Sequence, residues 1–303
     1  MMRNLSIDIL KIILAFFVVF LHMHVFRDSH RVLSFVLVNG VFRMAVPAFL
    51  IITGYYFYYV DTTDKLKKWL IRTFLLYLIW SLVYIPFWKE EDTLMNILFG
   101  YHHLWYLIGT FFSGIILFLI RKRSVRVLSI LVILFFSLGY GLQTLGNLHY
   151  FKDQTDLIIN LFPSYRNFLF VCFPFLTIGY LINRLNLDMK YRPSLMVIMA
   201  VTGLVILESF FNYTIINPDE SIDLLFSLIF ACPLLFIYCK NLSIMIDSKI
   251  LASLSTAIYL VHPLLMKWVL GKYFPFETII FFILLLVSSF ILVFANRKLK
   301  YLL

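Results

Sequence analysis

The sequence has few charged residues, and the polar segments between its hydrophobic runs are short. Charged side chains make up 14% of the 303 residues, hydrophobic side chains make up 62%, and the mean hydropathy is +0.93. Such a chain has too few polar residues to cover a water-soluble globule. The composition therefore predicts a polytopic membrane protein, and 1–303 is expected to form a single membrane domain without a separate soluble domain.

Cysteine is scarce as well. Cys172, Cys232 and Cys239 are the three cysteines, all fall within hydrophobic runs, and no C-x-x-C pair occurs. This pattern predicts no disulfide framework and no zinc or other metal site. The three residues are expected to be small buried apolar side chains.

Ten stretches have the length and hydropathy of membrane-spanning helices, which predicts an all-α helical bundle. The predicted spans are 6–26, 34–58, 69–88, 104–121, 125–144, 166–185, 194–213, 222–239, 250–270 and 274–296. The first span contains Asp8 and Lys11 and is not followed by a small-residue cleavage site, so it is expected to remain in the mature protein.

The basic residues predict the orientation of this bundle. If the N-terminus is cytoplasmic, 17 Lys and Arg fall in cytoplasmic loops and 6 in outer loops, in alternation along the chain. The densest cytoplasmic groups lie within 65–72, 121–126 and 184–192. By the positive-inside rule, both termini are expected in the cytoplasm. The net charge of +10 then indicates topology and contact with anionic lipid, not binding of nucleic acid.

The first span carries an unusual pair of ionisable residues, Lys11 and His22. Ionisable groups at membrane depth are costly, so each is a candidate for function. Eleven residues of helix separate them by about 16 Å and leave them on nearly the same face. This geometry suits a long substrate that threads across the membrane.

The predicted topology collects further polar residues at the depth of His22. This outer layer comprises His22, His24, Arg43, His102, His103, Arg166, Asn167, Glu208 and His262, whereas Lys11, Thr53 and Tyr55 lie near the cytoplasmic side. Four or more helices contribute to the layer. Their coincidence at one depth favours a functional site.

Each member also has a purely structural interpretation. Trp105 could anchor a helix at the membrane interface, and His102 and His103 could be solvated at a helix end. Arg166 could snorkel to lipid headgroups, and Glu208 could pair with an arginine of the same layer. These interpretations stay open at the level of sequence.

Five segments, in order, resemble the membrane acyltransferase-3 family. They are Asp8 to His22, with a basic residue eleven positions before a histidine; Arg43 to Phe49, continuing to Thr53, Gly54 and Tyr55; His103 to Leu107; Arg166 and Asn167 with Phe173 to Phe175 and Gly179; and Ser255 to His262. The chain departs from the family pattern at Lys11, where Arg is usual, and at Thr53, where Ser is commoner. The segments around Arg43 and His103 are similar to surface-polysaccharide O-acetyltransferases and to the membrane domain of vancomycin-resistance serine racemases.

The resemblance implies transfer of an acyl group, most often acetyl from acetyl-CoA, to a glycan hydroxyl at a bacterial cytoplasmic membrane. No permanently bound cofactor is expected. Acetyl-CoA, a glycan acceptor and membrane lipids are the expected partners, together with polysaccharide-synthesis proteins or further copies of the chain. Succinyl transfer and several classes of glycan acceptor remain open.

The resemblance also assigns roles to residues. His22, Arg166 and Glu208 are the expected catalytic residues, with His22 either as general base or as carrier of a transient acyl-imidazole. Glu208, Asn167 or His24 would orient its ring. The expected substrate-binding residues are Lys11, Arg43, Tyr55, His103, Trp105, Asn167, Tyr259 and His262, and the coenzyme phosphates would meet Lys11, Lys65, Lys67, Lys68 and Arg72.

Two other classes of function remain. A transporter or flippase for a polysaccharide or lipid-linked glycan would also gather polar residues within the bundle, and broken helices or inverted repeats would favour it. A non-catalytic partner in polysaccharide synthesis would keep the fold without the chemistry.

Overall fold

The computed structural model describes residues 3–90, 93–242, 244–246, 249–271, 276–299 and 301–303. Its α-helices are α1 (Leu5–Met23), α2 (Arg31–Val38), α3 (Ala45–Phe57), α4 (Thr63–Tyr84), α5 (Thr93–Phe99), α6 (Trp105–Ile120), α7 (Val125–Asn147), α8 (Asp153–Asn160), α9 (Phe162–Tyr165), α10 (Phe173–Arg184), α11 (Leu187–Lys190), α12 (Leu195–Phe211), α13 (Leu228–Asn241), α14 (Ile250–Val269) and α15 (Glu277–Ala295). Short 3-10 turns (Val41–Met44, Ile85–Glu90, His102–Leu104) and π turns (Phe168–Cys172, Asn212–Ile216) extend them. A two-residue antiparallel pair, β1 (Arg3–Asn4) with β2 (Met245–Ile246), is the other regular structure of the described residues.

Nine helical segments of the described residues are long and apolar enough to cross a membrane. They are Leu5–Met23, Arg31–Phe57, Thr63–Trp88, Thr93–Ile120, Val125–Asn147, Phe162–Arg184, Leu195–Ile216, Ile250–Val269 and Glu277–Ala295. The prediction of an all-α polytopic bundle is confirmed. The predicted start of the last span, at 274, lies outside the described residues. We call the two ends of the bundle the Lys11 end and the His22 end.

The predicted eighth span, 222–239, is wrong as a full-length helix. Residues 217–227 are irregular, and α13 has only 14 residues, which reach about 21 Å and fall short of the roughly 30 Å hydrocarbon core. The irregular stretch, which we call the strap (217–227), carries Asp223 to a buried partner. In the strap, hydrogen bonds from side chains of other helices replace the backbone hydrogen bonds of a helix.

Two further spans are interrupted near the His22 end. The second breaks between α2 and α3 around Gly40, and the sixth breaks at Arg166 and Asn167 before a π turn. Non-helical backbone at membrane depth is tolerated where it is buried in protein or lines a cavity. The interruptions therefore mark the region of the bundle in which a site is to be sought.

Close packing of α3 on α10 fixes the centre of the bundle. A Cβ on Gly54 would lie 1.9 Å from the carbonyl oxygen of Leu176, and a Cβ on Gly179 would lie 2.1 Å from that of Ile51. Only glycine allows this approach of the two backbones. The Thr53-Gly54-Tyr55 segment is thus needed for packing, whatever else it does.

Candidate active site

Helix α1 holds Lys11 and His22 on one rigid element. The side-chain oxygen of Asn4 accepts a hydrogen bond from the Ile7 N–H and caps the helix, which continues unbroken until His24 ends it in the left-handed conformation (φ 46°). The helical rise separates the two residues by about 16 Å. His22 thus lies in the last turn, one helix length from the opposite end of the bundle.

Three other histidines surround His22. Its ring centroid lies 5.4 Å from that of His262 on α14 and 6.4 Å from that of His102, and the His262 ring lies 5.2 Å from that of His103. His103 and His262 are buried. The structure therefore brings together four imidazoles that the sequence placed only at a common depth. Among the described residues, no group of His, Cys, Asp and Glu is arranged to hold a metal ion.

The backbone of α14 fixes the tautomer of His262. Its Nδ1 lies 2.8 Å from the Tyr259 carbonyl oxygen and 3.2 Å from that of Ile258. Because carbonyl oxygens only accept hydrogen bonds, Nδ1 carries the hydrogen and Nε2 keeps its lone pair. In the described part of the chain this buried Nε2 has no hydrogen-bond partner. His262 thus offers a proton acceptor beside His22.

Two guanidiniums share one carboxylate next to these histidines. Arg43 donates to Oδ1 of Asp223, and Nη1 of Arg166 donates to the same oxygen at 3.3 Å. The Arg43 and Asp223 side chains are only 10% and 8% exposed. The three groups together carry a net formal charge of +1, so this part of the cavity favours negative charge.

Several polar atoms of this group remain unused. Within the described residues, Nε of Arg43, Nε of Arg166 and Oδ2 of Asp223 are buried without a hydrogen-bond partner. Buried polar groups are normally paired, and the exceptions call for an explanation such as a ligand. Two buried N–H donors without a partner therefore lie at the His22 end.

Side chains of other helices hold the strap in place. The buried Gln143 side chain on α7 accepts from the N–H groups of Asp223 (2.8 Å) and Leu224 (2.9 Å) and donates to the Leu224 carbonyl oxygen (2.8 Å). Asn39 accepts from both Arg43 and the Ile222 N–H. These bonds replace those that a helix would have made.

The structure does not bring Glu208 to His22. Its two carboxylate oxygens accept from the N–H groups of Phe226 (2.7 Å) and Ser227 (2.8 Å), at the start of α13. A carboxylate at a helix N-terminus stabilises the unpaired N–H groups there. Glu208 does not line the His22 cavity, and the expectation that it orients His22 stays a prediction.

Asp223 is the residue that the sequence interpretation missed. It is the only charged residue within the predicted span 222–239, and an isolated intramembrane carboxylate is a functional candidate by default. That signal was available, but its arginine partners lie 57 and 180 positions away along the chain. Only the fold identifies them.

The remaining predicted residues are divided between the two ends of the bundle. Trp105 is buried, lines the His22 cavity and lies 5.5 Å below the Arg166 guanidinium. Asn167 caps the π turn by accepting from the Leu169 and Phe170 N–H groups, and its amide nitrogen donates to the Pro163 carbonyl oxygen (3.0 Å).

Tyr55 and His24 lie apart from His22. The Tyr55 hydroxyl donates to Asp188 (2.7 Å) at the Lys11 end, where its ring also lies 5.7 Å from Nζ of Lys240. His24 lines a separate cavity beyond Arg43. Tyr259, by contrast, lies at the centre and donates to the carbonyl oxygen of His103.

Four cavities follow one another from the Lys11 end to the His22 end. The first, about 450 Å³, shares Lys11 and Tyr56 with the second, about 330 Å³. The second shares Tyr259 with the His22 cavity, about 80 Å³, and this shares Arg43 with the fourth, about 370 Å³. The lining of the fourth is mostly polar and includes His24, Arg27, Asp28, Arg31, Asp219 and Glu220. Neighbouring cavities thus share lining residues all the way from the Lys11 end to the His22 end.

The fold and site define a multi-pass membrane protein with a buried histidine and arginine centre. The model of the acyltransferase-3 family, described as an acyltransferase domain, matches residues 4–296, so the chain belongs to this family.

One relative matches nearly the whole chain and extends well beyond it. An amino-acid racemase of Enterococcus faecalis is 27% identical over 96% of this chain, and the match covers 45% of the racemase. The chain thus spans less than half the length of that relative. The search of the solved structures found no significant match.

Proposed function

We propose that the protein transfers an acetyl group from cytoplasmic acetyl-CoA to a hydroxyl of a cell-surface or lipid-linked glycan, in a bacterial cytoplasmic membrane. One observation carries the proposal: the series of cavities that runs from Lys11 to His22 and ends beside two unsatisfied arginine N–H groups. A donor from one side and an acceptor from the other would meet at His22.

The cavity at the Lys11 end suits the donor. Three lysines, Lys11, Lys240 and Lys249, and one carboxylate, Asp8, line it, and this net positive lining would attract the phosphates of the coenzyme. Of the five cations first expected there, Lys11 alone lines this cavity, and Lys65 pairs with Asp61 at 2.8 Å. The pantetheine arm would then extend about 16 Å along α1 to His22.

The proposed reaction moves one proton from the acceptor hydroxyl to the coenzyme as the acetyl group moves in the opposite direction. In direct transfer, Nε2 or Nδ1 of His22 takes the proton of the acceptor hydroxyl as its oxygen attacks the thioester carbonyl. The new C–O bond forms, the C–S bond breaks, and the proton passes to the coenzyme thiolate. The unpaired Nε2 of His262 lies on the adjacent ring and could share the proton. In the covalent route, His22 carries the acetyl group between the two steps.

An unpaired arginine N–H, that of Arg43 or that of Arg166, would stabilise the oxyanion of the tetrahedral intermediate. Donors that are held in place before charge develops are the largest single contribution in many enzymes. Asp223 would act as a positioning residue, since it binds one Nη of each guanidinium and leaves both Nε–H groups unused. The His22 cavity, about 80 Å³, would hold only the reacting ends of two larger substrates.

The interrupted helices favour a transporter as the second candidate function. Breaks in the second, sixth and eighth spans all border the His22 cavity, and discontinuous helices are typical of transport sites. The substrate of such a transporter would be a polysaccharide or a lipid-linked glycan. The cavity series would then be a pathway.

Purified protein in sealed vesicles separates these functions. With labelled acetyl-CoA on one side and glycan acceptor on the other, we expect an acetyl ester to form. His22→Ala should abolish it and leave the folded protein in the membrane, whereas His30→Ala, an exposed histidine eight residues away, should not change the rate. Translocation of glycan without ester would support the transporter. If neither an ester nor translocation were observed, the protein would be a non-catalytic partner. Turnover by His22→Ala would remove His22 from the mechanism.

A further inference from the structure

A fifth cavity opens from the side of the bundle. It is a groove of about 90 Å³ between α5, α6 and the break in the sixth span. Its lining residues are Leu98, Phe99, Trp105, Ile108, Gly109, Phe112, Arg166, Asn167 and Phe168. Two of them, Trp105 and Arg166, also line the His22 cavity. The groove therefore lies next to the candidate active site, with Trp105 and Arg166 between the two cavities.

The outer part of the groove faces lipid. Leu98, Phe112 and Phe168 are 56%, 44% and 38% exposed, on segments that are apolar enough to span the membrane. In this setting the exposed surface contacts hydrocarbon, not water. A molecule that enters the groove from this side therefore has to be a component of the lipid bilayer.

The inner end of the groove is cationic. Arg166 is the charged residue of its lining, and the guanidinium lies 4.7 Å from the Phe162 ring centroid and 5.5 Å from that of Trp105. Its buried Nε has no partner within the described residues. Asn167, the other polar side chain there, already caps the π turn. An anionic group would thus find its partner in Arg166.

We propose that this groove binds a single-chain lipid phosphate that carries the glycan acceptor, with its hydrocarbon chain between α5 and α6 and its phosphate at Arg166. The inference rests on the proposed function, since it selects a lipid-linked acceptor. The small groove fits one chain better than the paired chains of a phospholipid, and the shared residues would direct the attached sugar towards His22.

Photolabelling tests the site without turnover. A polyprenyl phosphate that bears a diazirine in its chain should label Leu98, Ile108, Phe112 or Phe168. Unlabelled polyprenyl phosphate should compete, neutral polyprenol should not, and Arg166→Gln should lower labelling about tenfold because a charge-assisted hydrogen bond is lost. Labels spread evenly over the lipid-facing surface, or equal competition by phospholipid, would indicate bulk lipid only and overturn the proposal.

A pair of substitutions on α6 tests whether a lipid-linked acceptor binds in the groove during the reaction. Ile108→Trp fills the groove, and Leu119→Trp places the same side chain on a 75% exposed position of α6 away from the groove. We expect Ile108→Trp to raise KM for a lipid-linked acceptor about tenfold and to leave kcat/KM for the same glycan without lipid unchanged. The Leu119→Trp control should leave both unchanged.

The outcomes keep the two proposals apart. An equal loss with both acceptors, or no loss with either, would overturn the lipid site and leave acetyl transfer standing. Specific labelling at the groove with no ester formed from any acceptor would leave the lipid site standing and remove the transfer reaction.

Discussion

Two ion pairs tie the strap to the second span, and they differ mainly in their surroundings. Arg31 binds Asp219 at 2.5 Å with side chains 62% and 77% exposed, whereas Arg43 binds Asp223 with side chains 10% and 8% exposed. An exposed pair is screened by water and contributes about 0–1 kcal/mol. A buried charge that loses its partner costs several kcal/mol. The same residue types, four positions apart in the strap, are thus expected to have very different importance.

The largest effect is expected from the buried carboxylate. Asp223→Asn removes the charge shared by Arg43 and Arg166, and we expect it to destabilise the protein by about 3 to 5 kcal/mol and to abolish transfer. The melting temperature in detergent and the turnover rate measure the two effects. Asp219→Asn is the matched control and should cost under about 1 kcal/mol. Equal losses at both positions would break the comparison.

The backbone contacts of the strap come next. Gln143→Leu keeps the size of the side chain but leaves the buried N–H groups of Asp223 and Leu224 without an acceptor. We expect a loss of about 2 to 3 kcal/mol, measured as a lower melting temperature. A variant as stable as the parent would show that the strap does not depend on these bonds.

A substitution at Glu208 distinguishes a structural role of this carboxylate from a catalytic one. Glu208→Gln retains one acceptor for two N–H groups at the start of α13, so we expect a loss of about 1 kcal/mol and an unchanged turnover rate at a temperature where the variant is folded. A large fall in turnover with unchanged melting temperature would support the catalytic role.

The smallest effect is expected at the pair of His149 and Asp156, whose side chains are 51% and 18% exposed. A hydrogen bond of 2.7 Å to this carboxylate raises the pKa of His149 above its ordinary value. The stabilisation is present below the pKa of His149 in the unfolded chain, about 6.5, and is lost as the pH rises through the raised pKa of the folded protein. Asp156→Asn should lower the pKa measured by NMR and destabilise the protein slightly at about pH 6, with no difference at high pH. A difference that grows with pH would contradict this sign.

The outer layer shows how far sequence reasoning reaches. His22, His103 and His262 were placed at one depth from helix rise and span direction, and the structure brings their rings within contact. The contacts of Glu208 and Asn167 were not predicted, because a polar residue at the right depth can point to a backbone N–H instead of the site. Depth is a local property, whereas the rotation of each helix is set by its neighbours.

The broken eighth span shows the opposite limit. Residues 222–239 have the hydropathy of a membrane span, and their one proline, Pro233, lies inside the helix that forms and not at the interruption. The interruption depends on Gln143, Asn39 and Glu208, which bind the strap backbone from three other segments. No pattern confined to those eighteen positions contains this information.

The sequence by itself determined that the chain crosses the membrane many times, that Lys11 and His22 share a helix, and that a polar layer surrounds His22. These properties follow from hydropathy and from the fixed rise of a helix. The tertiary structure decided that Asp223 joins Arg43 and Arg166, that Glu208 caps α13 and that a side groove reaches Arg166. Each of these depends on contacts between segments far apart in the chain, whose geometry exists only after the helices have packed.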